Sequence, residues 1–350
     1  MNALVFITGA TGFIGSQVAL ATLEAGYRVR LCVRKPDQKQ LLEERYSRFA
    51  SKVEVALLPD ITNTSAFIGL LNGVDYVFHL ASPMPGKGSD FQADYVRPAV
   101  EATQAILHAA LRYPQIQKVI IMSSVLALLP PTAAGSPSVS VKGERSIFSG
   151  KERDHRLTQH FPDNTGEVIP IELDMSFPEG FMGEGVKYSA SKVLAHQATR
   201  DFLKQFKPQY TLLTFHPTFV LGDSLIQESA KDIDGMNAFF WSSLFSEKPG
   251  LKNAWVHVRD VAEAHVKALR VSIETGTEFI LSAPPVSWDQ AVELIKRDYP
   301  QVGCKIQSPV EGGWNVDTSS ADRLLMINWR SMETIIKDVL DQQLGFEERE

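Results

Sequence analysis

Two cysteines, Cys32 and Cys304, are all that 350 residues carry, and neither stands in a metal-ligand spacing. A single pair cannot build a disulfide framework, so both are expected as small buried hydrophobes. No uninterrupted apolar stretch reaches the roughly 18 residues that a membrane span needs. The first apolar run, ALVFITGA at 3–10, lacks a basic lead-in and is only strand-length, so it does not read as a secretory signal. An excess of positive charge is also missing. The 35 Lys and Arg against 41 Asp and Glu leave a formal charge of −6, which offers no electrostatic argument for nucleic acid or an anionic membrane as a partner. The expectation is a soluble, cytoplasmic protein, monomer or homodimer, with ample chain for a core.

What the chain does have is a rhythm. LVFIT (4–8) is strand-like, and GSQVALATLEAG (15–26) has helical spacing closed by Gly26 as a C-cap. RVRLCVR (28–34) reads as the second strand, and KPDQKQLLEERYSRF (35–49) as a polar helical segment. VEVALLP (53–59), DYVFHLAS (75–82), KVIIMSSV (118–125) and YTLLTFHPTFVLG (210–222) read as further strands, with helical patterns at 64–72, 94–113 and 186–206 between them. Repeated strand–helix–strand order predicts an α/β fold, a doubly wound parallel sheet of Rossmann type. The resulting map has a dinucleotide-binding domain over 1–222 with a return segment at about 252–283. A smaller mixed α/β substrate domain takes 223–251 and 284–350. The stretch 128–180, rich in Pro, Ser and Gly at its start, breaks the rhythm and is expected as an irregular insertion, a lid or wall over the substrate.

FITGATGFIG (6–15) sets Gly9, Gly12 and Gly15 between the first strand and the first helix. Each has a physical task. Gly9 lets the chain turn off the strand, Gly12 lets backbone amides approach a pyrophosphate, and Gly15 lets the helix pack close to the sheet. The phosphates would meet the free N–H groups and positive dipole of the helix start.

GVKYSASKVLAHQ (185–197) places Tyr188 and Lys192 one helical turn apart. Such a pair reads either as an ordinary surface contact or as an acid/base pair, with the ammonium favouring phenolate. The glycine spacing and the Tyr-x-x-x-Lys together resemble the short-chain dehydrogenase/reductase superfamily, and TGATGFIG resembles its extended branch. The resemblance, which spans nearly the whole chain, implies catalysis by Tyr188, Lys192 and Ser124, the second serine of VIIMSSV (119–125). Tyr188 would give a proton to a carbonyl oxygen, Ser124 would hold that oxygen, and Lys192 would lower the phenol's pKa and bind the nicotinamide ribose. It also implies cofactor contacts from Thr11, Phe13 and Ile14 beside the three glycines. Asp60 and Ile61 of LPDITN would meet the adenine. Leu80, Ala81 and Ser82 of FHLASP would line the nicotinamide side, and Pro217 and Thr218 of FHPTFVLG the carboxamide. His79, His216, His257 and His265 are expected as structural, and no metal is implied.

The end of the second strand bears on which dinucleotide. Val33 stands where an acid would clamp the ribose of NAD, and Arg34 follows it. A guanidinium suits the oxygens of a 2′-phosphate, with Lys35 or Lys39 adding potential, so NADP(H) is expected. Arg97-Pro98 within DYVRPAVEATQAIL (94–107) is similar to the dihydroflavonol reductase, cinnamoyl-CoA reductase and fungal ketoreductase group. That implies reduction of a small apolar or aromatic ketone or aldehyde. A nucleotide-sugar epimerase or dehydratase, and an NADPH-binding regulator without turnover, are the alternatives.

Overall fold

The computed structural model describes residues 2–86, 88–135, 138–141 and 169–349. Residues 142–168, the middle of the segment expected as a lid, lie outside that set. The strands are β1 (Leu4–Thr8), β2 (Arg28–Val33), β3 (Val53–Leu57), β4 (Tyr76–His79), β5 (Lys118–Met122), β6 (Ser138–Val141), β7 (Thr211–Pro217), β8 (Phe219–Leu221), β9 (Trp255–His257), β10 (Glu278–Leu281) and β11 (Gly313–Val316). The helices are α1 (Phe13–Glu24), α2 (Asp37–Arg45), α3 (Thr64–Leu70), α4 (Arg97–Ala110), α5 (Gly180–Phe206), α6 (Gly235–Ser243), α7 (Val258–Arg270), α8 (Trp288–Asp298) and α9 (Met332–Glu347). Seven strands form one parallel sheet in the order β10-β7-β5-β4-β1-β2-β3, while β6–β11 and β8–β9 pair apart from it.

Side-chain alternation sorts the sheet into two buried faces. Val5 and Ile7 turn toward Val18 and Leu23 of α1 and Val261 of α7, whereas Phe6 between them joins Phe67 of α3, Ile106 of α4 and Phe202 of α5. Burying one such phenylalanine is worth roughly 1.5–3 kcal/mol. A parallel sheet with helices on both sides is the doubly wound arrangement. A third cluster gathers Phe240 of α6, Trp255 of β9, Trp288 of α8 and Ile336 of α9. Phe240 is fully buried there, so it serves the core. Among the described residues, no helix is long and apolar enough to cross a membrane.

Two elements differ from the sequence reading. The run 210–222 is not one strand: β7 ends at Pro217 and β8 pairs with β9 instead. Proline has no N–H to continue a ladder, and Thr218 N turns to Leu281 O at 3.0 Å. The helix expected from residue 186 begins at Gly180, so α5 runs for 27 residues.

Candidate active site

The loops after β1, β2, β4, β5 and β7 lie along the carboxyl edge of one parallel sheet, where open α/β sheets bind ligands. They carry Gly9, Arg34, Leu80 to Ser82, Ser123 and Ser124, and Thr218 in turn. The strand order reverses between β1 and β4.

The three glycines divide by cause. Gly9 has φ +77°, and a Cβ on it would stand 2.8 Å from Ala81 N. A Cβ on Gly15 would stand 2.0 Å from Gly9 O, inside the turn itself. Both are therefore required by the polypeptide. Gly12 is not: its φ is −89°, and a Cβ there would meet only Gly9 O, at an ordinary 3.5 Å. Gly12 is also the N-cap of α1, without a side-chain cap and without an acidic residue in the first turn. Bare backbone at a helix N-terminus fits a phosphate group. Thr11, Phe13 and Ile14 sit half-buried around it.

Arg34 is exposed at the end of β2, and its side chain makes no hydrogen bond or ion pair with a described residue. Its backbone N–H and that of Lys35 both donate to Gln38 Oε1, at 3.1 Å. Lys39 pairs with Glu43 at 3.8 Å. Asp60 is exposed beyond β3, accepting from Thr62 N at 2.9 Å and Thr62 Oγ1 at 2.6 Å. These bonds to Thr62 hold its carboxyl below the usual range. Ile61 beside it packs on the cluster of that sheet face.

Thr8, passed over in the sequence, ties β1 to β4. Its Oγ1 accepts from Leu80 N and Ala81 N, both at 3.1 Å, and lies 3.1 Å from His79 Nδ1. Burial, aided by the charge of Lys192, pushes the His79 imidazole down to about 3, which suits a packed neutral ring. His216 Nδ1 lies 3.0 Å from Ser124 O and fixes the turn after β5. Thr218 donates from Oγ1 to Ser282 Oγ at 3.1 Å. His257 accepts from Arg259 N at 3.0 Å as the cap of α7.

Ser124 and Tyr188 come together, the serine hydroxyl standing close enough to the phenol to pull its pKa down. Ser124 Oγ accepts from Leu126 N at 3.2 Å. Tyr188 packs against Phe91, Tyr95 and Ala190, and the Phe91 and Phe177 rings lie 4.7 Å apart beside it. Lys192, one turn along α5, is buried, with Nζ 5.6 Å from the Tyr188 ring centre. The electrostatics differ from the expectation. Burial raises the Tyr188 phenol to about 12, against the pull of Ser124, although part of the side chain reaches solvent. Burial likewise lowers the Lys192 ammonium to about 8. Both shifts have one cause, the penalty on a charged form away from water. The phenol thus stays protonated through the neutral range.

The chain has relatives among known proteins. A model of the NAD dependent epimerase/dehydratase family matches residues 5–142. Ketoreductase sphI of Aspergillus fumigatus is 39% identical over 355 residues, covering 98% of this chain and 98% of the other. The crystal structure of yeast methylglyoxal/isovaleraldehyde reductase Gre2 complexed with NADPH shares the fold, with a TM-score of 0.77 at 22% identity over 99% of this chain and 100% of that one. The chain belongs to the NAD dependent epimerase/dehydratase family, the extended branch of the short-chain dehydrogenases/reductases.

Proposed function

We propose that this protein is an NADPH-dependent carbonyl reductase acting on a ketone or aldehyde group of an apolar or aromatic small molecule. One observation carries the reading. Ser124 beside Tyr188, with Lys192 buried one turn away, stands on the same sheet edge as the side-chain-free turn at Gly12. The ketoreductase relative and the NADPH-bound reductase of the same fold support it.

When bound, the nicotinamide supplies the hydride. The chain's own groups handle the oxygen. Ser124 donates a hydrogen bond to the substrate oxygen and holds it within reach of Tyr188. Tyr188 gives its phenolic proton to that oxygen as negative charge develops there. Lys192 offers positive charge to the phenolate left behind. At the far end, Arg34 is the unpaired cation for a 2′-phosphate, Gly12 admits the pyrophosphate, and Asp60 and Ile61 border the adenine. Residues 223–251 and 284–350 would carry the substrate-specific walls.

The test is consumption of NADPH and of NADH by the purified protein with a panel of apolar ketones, aromatic aldehydes and nucleotide sugars. NADPH oxidation by the apolar carbonyls is the expected result. Conversion of a nucleotide sugar with no net cofactor use would replace the proposal with an epimerase. Tight NADPH binding with no turnover of any substrate would leave a regulator.

A further inference from the structure

Next to Lys192 the protein holds a polar array that the chemistry above does not use. A small cavity, with ≈ 10 Å³ of room for the centre of a water molecule, is bounded by Lys192, His79, Ser82, Ser123, His196 and Thr199. That is about the space of one water. His196 is 4% exposed, and neither of its ring nitrogens has a hydrogen-bond partner among the described residues. Buried polar groups left so are costly, and a water with several polar neighbours is the usual remedy. His196 Nε2 stands 3.1 Å from Glu278 Oε1, within ion-pairing reach but off the line of a hydrogen bond. Glu278 is in turn gripped by Arg200 through two bonds of 2.7 Å. It begins β10, the outermost strand of the sheet, so the array runs from the lysine to the sheet edge.

We infer that a water in this cavity joins Lys192 to His196, and that His196, backed by Glu278, returns the proton that Tyr188 gives up in each reduction. The inference rests on the reductase reading above. The protons balance. Tyr188 loses one to the alkoxide oxygen, and the Lys192 ammonium gives one to the phenolate. The water passes one to the Lys192 amine while taking one from the His196 imidazolium. His196 is then recharged from solvent at the edge formed by Glu278 and Arg200. One proton enters for each carbonyl reduced, as the reaction of carbonyl, NADPH and H⁺ to alcohol and NADP⁺ requires.

The surroundings favour His196 over its neighbours as the carrier. The groups facing it are Lys192 and Arg200 on its own helix, His79 from β4, His216 from β7 and Glu278 from β10. Burial pushes both His79 and His216 down to about 3, so neither holds a proton near neutral pH. Burial would push the Glu278 carboxyl up, but His196 and Arg200 outweigh it and hold it well below the carboxylate range. His196 acts through Lys192 and is a positioning residue for it.

The experiment compares the wild type with His196→Gln in steady state across roughly pH 6 to 9, with NADPH and a reducible carbonyl. The relay predicts that kcat falls about tenfold, most at the alkaline end, with KM falling alongside so that kcat/KM holds. The solvent deuterium isotope effect on kcat should rise, which a packing defect would not produce. A variant with the wild-type kcat, pH profile and isotope effect refutes the relay alone. A wild type that reduces no carbonyl removes the reductase reading and the relay together. A second measurement needs no turnover: in protein labelled with ¹⁵N-histidine, Lys192→Met should shift the His196 ring-nitrogen signals at fixed pH, and unmoved signals overturn the link. Stoichiometric zinc uptake by the wild type and not by His196→Gln would make His196, His216 and Glu278, whose ligand atoms lie within 4.8 Å, a metal site instead.

Discussion

The two halves of the sheet edge are built in opposite ways. On the β1 side, Gly9, Gly12 and Gly15 make their site within seven consecutive residues, largely out of backbone. On the β5–β7–β10 side, Ser124, Tyr188, Lys192, His196, His216 and Glu278 make theirs from side chains brought in by four separate elements. The first needs space and the right φ. The second needs burial, and burial holds Tyr188, Lys192 and His216 toward their uncharged forms. A local cause leaves a local mark in the sequence, and a tertiary one does not.

The largest expected effect lies on the side-chain half. Tyr188→Phe removes the proton donor while leaving the ring in its cluster with Phe91 and Ala190. Turnover should drop by about 10²–10⁴-fold, the usual share of a general acid, with NADPH affinity changed little. Full activity in this variant would send the search for the donor elsewhere.

The backbone half has an internal contrast to sharpen. Gly15→Ala drives a Cβ to 2.0 Å from Gly9 O, so the turn or the helix must shift, at about 2–3 kcal/mol of stability. Gly12→Ala meets nothing closer than 3.5 Å. It should keep the wild-type melting temperature yet weaken NADPH binding on the order of tenfold, since the methyl group enters the space read here as the phosphate's. Calorimetry and a binding titration of the two variants separate the causes. Equal loss of stability in both would erase the distinction drawn between these glycines.

This contrast also explains what was legible. Strand cores from 4–8 to 118–122 and the turn between them follow from apolar runs and glycine spacing, because their causes lie within a few residues. The break at Pro217 was readable too, since a proline cannot donate to a ladder, but the apolar run of 210–222 masked it. The rise of the Tyr188 phenol could not be read, because motif spacing places Lys192 beside it but says nothing of the desolvation that raises it. His196 stood inside the stretch that holds Tyr188 and Lys192, yet its meaning depends on Glu278, 82 positions away.

The array's long-range character yields a stability prediction. Glu278 has a folded pKa below its ordinary 4.5 because His196 and Arg200 outweigh burial. A depressed carboxyl stabilises the fold above its unfolded pKa, and that contribution shrinks as pH falls below about 4.5 toward the folded value. Glu278→Gln should therefore cost on the order of 2–3 kcal/mol at neutral pH, where it strands Arg200. The gap between variant and wild type should narrow as denaturation is followed down from about pH 5 to pH 3. A gap independent of pH would mean that Glu278 acts by shape alone.

The smallest effect concerns the one charged side chain on the otherwise backbone-built half. Arg34 is exposed and unpaired among the described residues, so its removal should not touch stability. A solvent-exposed guanidinium on a phosphate is screened, and about tenfold is a reasonable share for it. Arg34→Gln should weaken NADPH binding by that factor and leave NADH binding unchanged, and the NADPH deficit should shrink as salt is raised. Lys39 is already turned toward Glu43, so Lys39→Gln should do less. If NADPH and NADH respond alike to Arg34→Gln, the guanidinium does not read the 2′-phosphate. The preference between the two dinucleotides would then have to come from backbone at the end of β2, which would make this half of the site a matter of main chain throughout.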